Sequence, residues 1–302
     1  MQAGEQAQSD GAQSGRRIVL FVALAFLLSI PGYCAHILIA DTSMGRNYTV
    51  GLMWAPGLAA FATIWLTNDK LSAIGWQWGE WRWNIAGYFI PFGYTLLAYV
   101  GLAIVGVVTL GSPEAVSAMV GKLGFSPAGD AQGTLSAIWS IVTFTLVAAL
   151  PGIVIGVSSA LGEEIGWRGY LVPKLMERMG FWGTTLVSGC IWGVWHMPIL
   201  LFGNYNNGTE WWYGMTCFVI LVLCGSMIMT WLRLRSASVW PCAIFHGSHN
   251  LFIQVVFASI ALSDDPDAAY YVGEFGAAAP LAMLLFCAVL YFRMNKSAGI
   301  KE

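Results

Sequence analysis

About eight stretches long and apolar enough to cross a bilayer recur along this 302-residue chain, and nothing else in it constrains the fold as strongly. A helical span needs about 20 apolar residues, and the stretches fall near 18–40, 50–67, 84–110, 135–161, 182–202, 211–232, 238–261 and 275–294. The expected fold class is all-α, a polytopic transmembrane helical bundle. Hydrophobic residues make up 57% of the chain and charged ones 10%, which excludes a soluble domain with a large core. A net charge of −2 argues against a nucleic-acid partner. Residues 1–15, rich in Gln, Ser, Gly and Ala with no apolar run, are expected to form a disordered polar tail, and 16–302 a single transmembrane domain without internal repeats. Arg16 and Arg17 before an apolar segment imitate a signal peptide. The run continues to about residue 40 with no clear small-residue cleavage site, so it reads as a retained first span. Cys34, Cys190, Cys217, Cys224, Cys242 and Cys287 all lie in apolar stretches and read as small buried hydrophobes.

Lys and Arg alternate between the loops in a way that sets a direction. With the N-terminus cytoplasmic, that face collects Arg16, Arg17, Lys70, Arg82, Arg168, Lys174, Arg178, Arg233, Arg235, Arg293, Lys296 and Lys301. Those are twelve of the fourteen basic residues, and only Arg46 and Lys122 fall outside. A miscounted span would scramble this alternation, so both termini are expected in the cytoplasm. The last outer loop carries Asp264, Asp265, Asp267 and Glu274. Trp76, Trp78, Trp81 and Trp83 before the third span, with Trp211 and Trp212 before the sixth, are expected to be interfacial anchors.

Against this background residues 162–169, Gly-Glu-Glu-Ile-Gly-Trp-Arg-Gly, need an explanation. One ionised side chain at mid-membrane costs about 2.5–3.5 kcal/mol, which makes such residues functional candidates. Glu164 and Arg168 stand four apart with the acid first, the favourable order for a helical pair. Glu163 is rotated from Glu164 by about 100°, so one carboxylate can be neutralised while the other faces something else. Three of the four histidines lie in later spans: His196, His246 and His249. His246 and Asn250 share a helical face. Peptide hydrolysis by water needs a base, a group that returns the proton and donors for the oxyanion. Glu163 can be the base, His196 its partner and proton donor to the leaving amine, and His246 with Asn250 the oxyanion donors. For Glu163 to meet His196, the fourth helix must run past 161 to about 170, with the amphipathic stretch 170–180 dipping or lying along the interface.

In these residues the chain resembles the CPBP intramembrane proteases, which include the CAAX prenyl endopeptidases and bacteriocin-immunity-like relatives. That pattern is Glu-Glu-x-x-x-Arg, Phe-x-x-x-His and His-x-x-x-Asn/Asp. Glu163, Glu164 and Arg168 meet the first and His246 and Asn250 the third, while His196 meets the second with Trp192 in place of Phe. The motifs occur in order over about residues 160–250, and Trp54-Ala55-Pro56 and Trp240-Pro241 also match. The resemblance implies an intramembrane endopeptidase acting near the C-terminus of lipidated or membrane-associated peptides and proteins. It implies catalytic roles for Glu163, His196, His246 and Asn250, with Glu164 and Arg168 as a structural brace and no role for His249. Membrane lipid and a peptide or lipidated protein are the expected partners. A multi-pass plasma-membrane location with the site opening to the cytoplasm is the expected setting.

Rival readings attach to the same residues. Glu163, His196 and His246 match the ligand count of a catalytic Zn²⁺ site. The usual His-Glu-x-x-His string is absent and Asn250 is a poor zinc ligand, so no cofactor is expected. A non-catalytic peptide-binding or immunity protein could use the same cavity, formed by the fourth, fifth and seventh spans. A small-solute transporter is disfavoured, because no pair of broken helices recurs in matching halves. A lone transmembrane histidine most often makes an interhelical hydrogen bond worth about 0.6 kcal/mol, which suits His36 and His249.

Overall fold

The computed structural model describes residues 2–39, 43–112, 152–203 and 208–298. Lys122 and the first part of the fourth apolar stretch, 135–151, lie outside them. Helices α1 (Gln2–Ile39), α2 (Ser43–Thr67) and α3 (Trp81–Ile104) lead to a two-residue strand, β1 (Thr109–Leu110). Then come α4 (152–164), a π-helix at Ile165–Leu171, α5 (Val172–Phe202), α6 (Trp211–Ser236) and α7 (Trp240–His249). A second π-helix (Asn250–Val256), α8 (Phe257–Ile260), β2 (Ala261–Leu262) and α9 (Ala278–Ala298) complete the order. β1 and β2 pair antiparallel, Thr109 opposite Leu262. Seven helical segments among the described residues are long and apolar enough to span a membrane. Their surfaces carry Leu38 and Trp65 at 78% exposure and Ile104 at 80%, apolar groups that a soluble protein does not leave bare over whole helices. The chain is an integral membrane protein built as a helical bundle.

Two compact units divide the chain. One holds Met1–Gly87, Ser158–Tyr205 and Gly225–Ile244, the other Tyr88–Val157, Asn206–Cys224 and Phe245–Glu302. In the first, α1 packs on α2 and α2 packs on the π-helix that succeeds α4. Glycine permits that last contact. A Cβ on Gly162 would stand 2.6 Å from Trp54 Cα, one on Gly166 2.6 Å from Pro56 Cβ, and one on Gly57 2.7 Å from the Gly162 carbonyl oxygen. Small residues four apart let two helix backbones touch. Trp54 Nε1 then donates to the Ser158 carbonyl at 3.1 Å.

The fourth and fifth apolar stretches form one helical run, Gly152–Phe202, of 51 residues. Straight, it would be about 76 Å long, more than twice a hydrocarbon core of about 30 Å. It is not straight. Trp192 Nε1 lies 2.7 Å from Glu163 Oε2 although 29 residues separate them, about 44 Å along an unbroken helix. The corner is Gly180, with φ 62° and ψ −174°, a combination that essentially only glycine adopts. The fourth helix therefore does not end near 161 but continues through the π-helix to this corner. Hydropathy placed its end too early because Glu163, Glu164 and Arg168 interrupt the apolar run, and the helix carries all three buried.

Other expectations shift with the packing. α1 begins at Gln2, well ahead of the first span. Ser14 donates to Glu177 Oε2 at 2.9 Å. Cys34 and Cys190 are exposed rather than buried. Trp78, Trp81, Trp211 and Trp212 are exposed, whereas Trp83 is buried against Trp231 with Arg82 over its ring.

Candidate active site

Glu163, Glu164 and Arg168 are the polar face of the run whose glycines meet α2, and 2% or less of each is exposed. The pair expected from the i, i+4 spacing is present: Arg168 Nη1 donates to Glu164 Oε1 at 3.1 Å, with both side chains fully buried. Such an interaction survives burial only when further groups compensate the charge. Here the guanidinium lies over the face of Trp192, 4.2 Å from the ring centroid, a cation–π contact that strengthens on desolvation.

Trp192 also engages the other carboxylate, its Nε1–H donating to Glu163 Oε2 at 2.7 Å. On the same residue, the carbonyl oxygen lies 2.9 Å from His196 Nδ1. A carbonyl can only accept, so in the neutral ring the proton is on Nδ1 and the basic lone pair on Nε2. His196 is wedged edge-on against Trp195 at 4.7 Å between centroids. Trp195 is tied down in turn, its Nε1 donating to Ser29 Oγ at 2.7 Å and its carbonyl accepting from Tyr33 at 2.6 Å. Glu163, Glu164, Arg168, Trp192 and His196 thus form one connected group within the first unit.

His246 and Asn250 belong to the second unit, the first in α7 and the second opening the next π-helix, where the Phe257 amide reaches the Phe252 carbonyl. Gly247 beside His246 lets the start of α4 pass close: a Cβ on Gly156 would stand 2.9 Å from the Gly247 carbonyl oxygen. His249, without a role in the motif, bonds Tyr94 through Nδ1 and Glu274 Oε1 through Nε2 at 2.9 Å. Gln254 Nε2 donates to the same oxygen at 2.8 Å. Glu274, in the loop before α9, is thus buried and anchors both side chains.

Two supports escaped sequence reading. In the sequence, Trp192 reads only as an aromatic ring in the place of Phe, and nothing there reveals what its N–H meets. Arg233 was counted as a loop charge, yet it is buried and donates from Nε to the Arg168 carbonyl at 3.0 Å and from Nη2 to the Ala73 carbonyl at 3.1 Å. An arginine directly after a long apolar helix is the signal that the sequence offers. Among the described residues no group of three or more His, Cys, Asp or Glu side chains is placed to hold a metal ion.

Comparison with known proteins bears on the same segment. The family model for Rce1-like type II CAAX prenyl endopeptidases matches residues 134–252, which contain all six motif residues. CAAX prenyl protease 2 of Methanococcus maripaludis is 32% identical over 100 residues, 31% of this chain and 36% of that protein. The match thus spans about a third of the relative's length. This segment, which carries the three motifs in order, is similar to the type II CAAX prenyl endopeptidases.

Proposed function

We propose that this protein is an intramembrane endopeptidase of the CAAX-protease type, cleaving near the C-terminus of lipidated or membrane-associated substrates with water activated by Glu163 and His196. The observation that carries the reading is the chain Glu163–Trp192–His196, which holds a buried carboxylate and an imidazole of defined tautomer through one residue. Glu163 takes a proton from water as its oxygen attacks the scissile carbonyl carbon. His246 and Asn250 donate hydrogen bonds to the resulting oxyanion, a contribution often worth 10²–10³ in rate per donor. On collapse the C–N bond breaks and the amine leaves with a proton delivered through His196. Glu164 and Arg168 brace the helix that presents Glu163. The site opens to the cytoplasm and works without a metal.

Purified protein offered a library of lipidated peptides tests this directly. Cleavage by the wild type, with Glu163→Gln and His196→Ala reduced at least 10²-fold, is the expected result. A Glu163→Gln protein that keeps its biological effect would instead point to a peptide-binding or immunity role. Loss of cleavage on chelation, restored by Zn²⁺, would overturn the metal-free mechanism.

A further inference from the structure

Three of the contacts that Trp192 makes at the site use three different parts of the residue. Its ring face takes the Arg168 guanidinium, its indole N–H reaches Glu163 Oε2, and its carbonyl faces His196 Nδ1. We propose that Trp192 is a positioning residue for the water-activating carboxylate, pinning Glu163 by Oε2 so that Oε1 is the oxygen presented to water. The inference deepens the proposed peptidase function and rests on it.

The geometry gives the bond direction as well as length. At 2.7 Å the contact is within the short range of hydrogen bonds to a charged acceptor. An indole could pivot about its side-chain torsions, but here Arg168 at 4.2 Å fixes the plane of the ring, and Arg168 is itself held by Glu164 at 3.1 Å. The second carboxylate thereby orients the first: Glu164 sets Arg168, Arg168 sets the indole, and the indole sets Glu163. Because the Trp192 carbonyl also faces His196, any shift of that backbone moves base and imidazole together. A phenylalanine in this place could take the guanidinium on its face but has no N–H to give. The tryptophan therefore supplies one bond that the motif's usual aromatic residue cannot.

A buried indole that merely needed a partner would lower stability when replaced and leave turnover alone, which separates the two roles. The test uses full-length protein in lipid nanodiscs. Trp192→Phe keeps a ring for Arg168 and removes the donor, and 3-benzothienylalanine at position 192 keeps the bicyclic shape with sulfur in place of N–H. For both, kcat is expected to fall about 10- to 100-fold with KM within about twofold. A kcat within twofold of wild type in both variants overturns the proposal. A readout without turnover accompanies it: in protein labelled with ¹⁵N at the indole nitrogens, the resonance missing from Trp192→Phe should shift in Glu163→Gln. Its failure to shift overturns the bond itself, whatever the cleavage assay gives. A resonance that shifts in a protein that cleaves nothing overturns the peptidase reading and the positioning role with it, leaving only the contact.

Discussion

Arg168 is held without exposed surface between the Glu164 carboxylate and the Trp192 ring, and the two contacts respond differently to substitution. Removing the charge by Arg168→Leu takes from Glu164 its i, i+4 cation, and breaking a buried pair from one side costs about 3–5 kcal/mol. The double change Arg168→Leu with Glu164→Leu should recover much of that loss, since an apolar pair of similar volume carries no desolvation penalty. Unfolding by denaturant in micelles measures both; a double variant no more stable than the single one would show that the pair is not what Arg168 chiefly serves. The pair was legible because helical spacing alone brings positions 164 and 168 together. Arg233 and the Trp192 N–H were not, because each acts on a group far away in sequence, Arg233 on the Arg168 carbonyl 65 positions off and Trp192 on Glu163 29 positions off. Local periodicity is blind to such contacts, and composition counts a tryptophan as apolar.

The helices that present these residues depart from regular geometry immediately beyond the motifs. After Glu164 the run is π-helical, closing with the Val172 amide on the Trp167 carbonyl. A second π-helix begins at Asn250. Each π turn takes up one extra residue and so rotates the side chains beyond it by about 100°, a shift that no 3.6-residue pattern foretells. Glu274 ties the second π-helix from outside, bonding His249 just before it and Gln254 within it. A fifth helix from about 182 was readable as an apolar stretch, whereas the end of the fourth was not, because Glu163, Glu164 and Arg168 break the hydropathy well before the Gly180 corner. Two glycines separate corner from contact. Gly180→Ala meets no atom within 4 Å and is opposed only by its backbone angles, costing about 1–3 kcal/mol. Gly166→Ala puts a Cβ 2.6–2.7 Å from Pro56, a backbone clash that forces α2 and the π-helix apart and costs about 1–3 kcal/mol or more. Both should lower the thermal midpoint. Only Gly166→Ala, which moves the octapeptide itself, should lower cleavage by protein that remains folded; equal activity in the two would separate the α2 contact from the site.

At the scale of the molecule, the loop charges that suggested a direction are gathered in one place within the first unit. Asp69 binds Arg17 at 3.1 Å, accepts from Tyr170 at 3.2 Å and lies 3.7 Å from Lys174, while Arg233 reaches Ala73 and Arg168. The approach to the first span, the segment after the second, the segment past the fourth and the end of the sixth therefore share one end. Arg17, Lys174 and Arg233 stand there for three of the five basic groups that alternation assigned to one face, which a sequence can suggest only through their sign. Which compartment that end faces is then a single choice, and the excess of Lys and Arg favours the cytoplasm. Cysteine labelling decides it. In a cysteine-free background, Ser72→Cys, exposed in the short 3₁₀ turn Leu71–Ile74, should react with an impermeant maleimide in inside-out vesicles and not in intact cells. Asp265→Cys in the acidic loop before α9 should do the reverse. Labelling of Ser72→Cys from outside would invert the protein and turn a site opening near Arg168 away from any substrate lipidated in the cytoplasm, whereas the expected pattern leaves Glu163 within two turns of the face where such substrates are made.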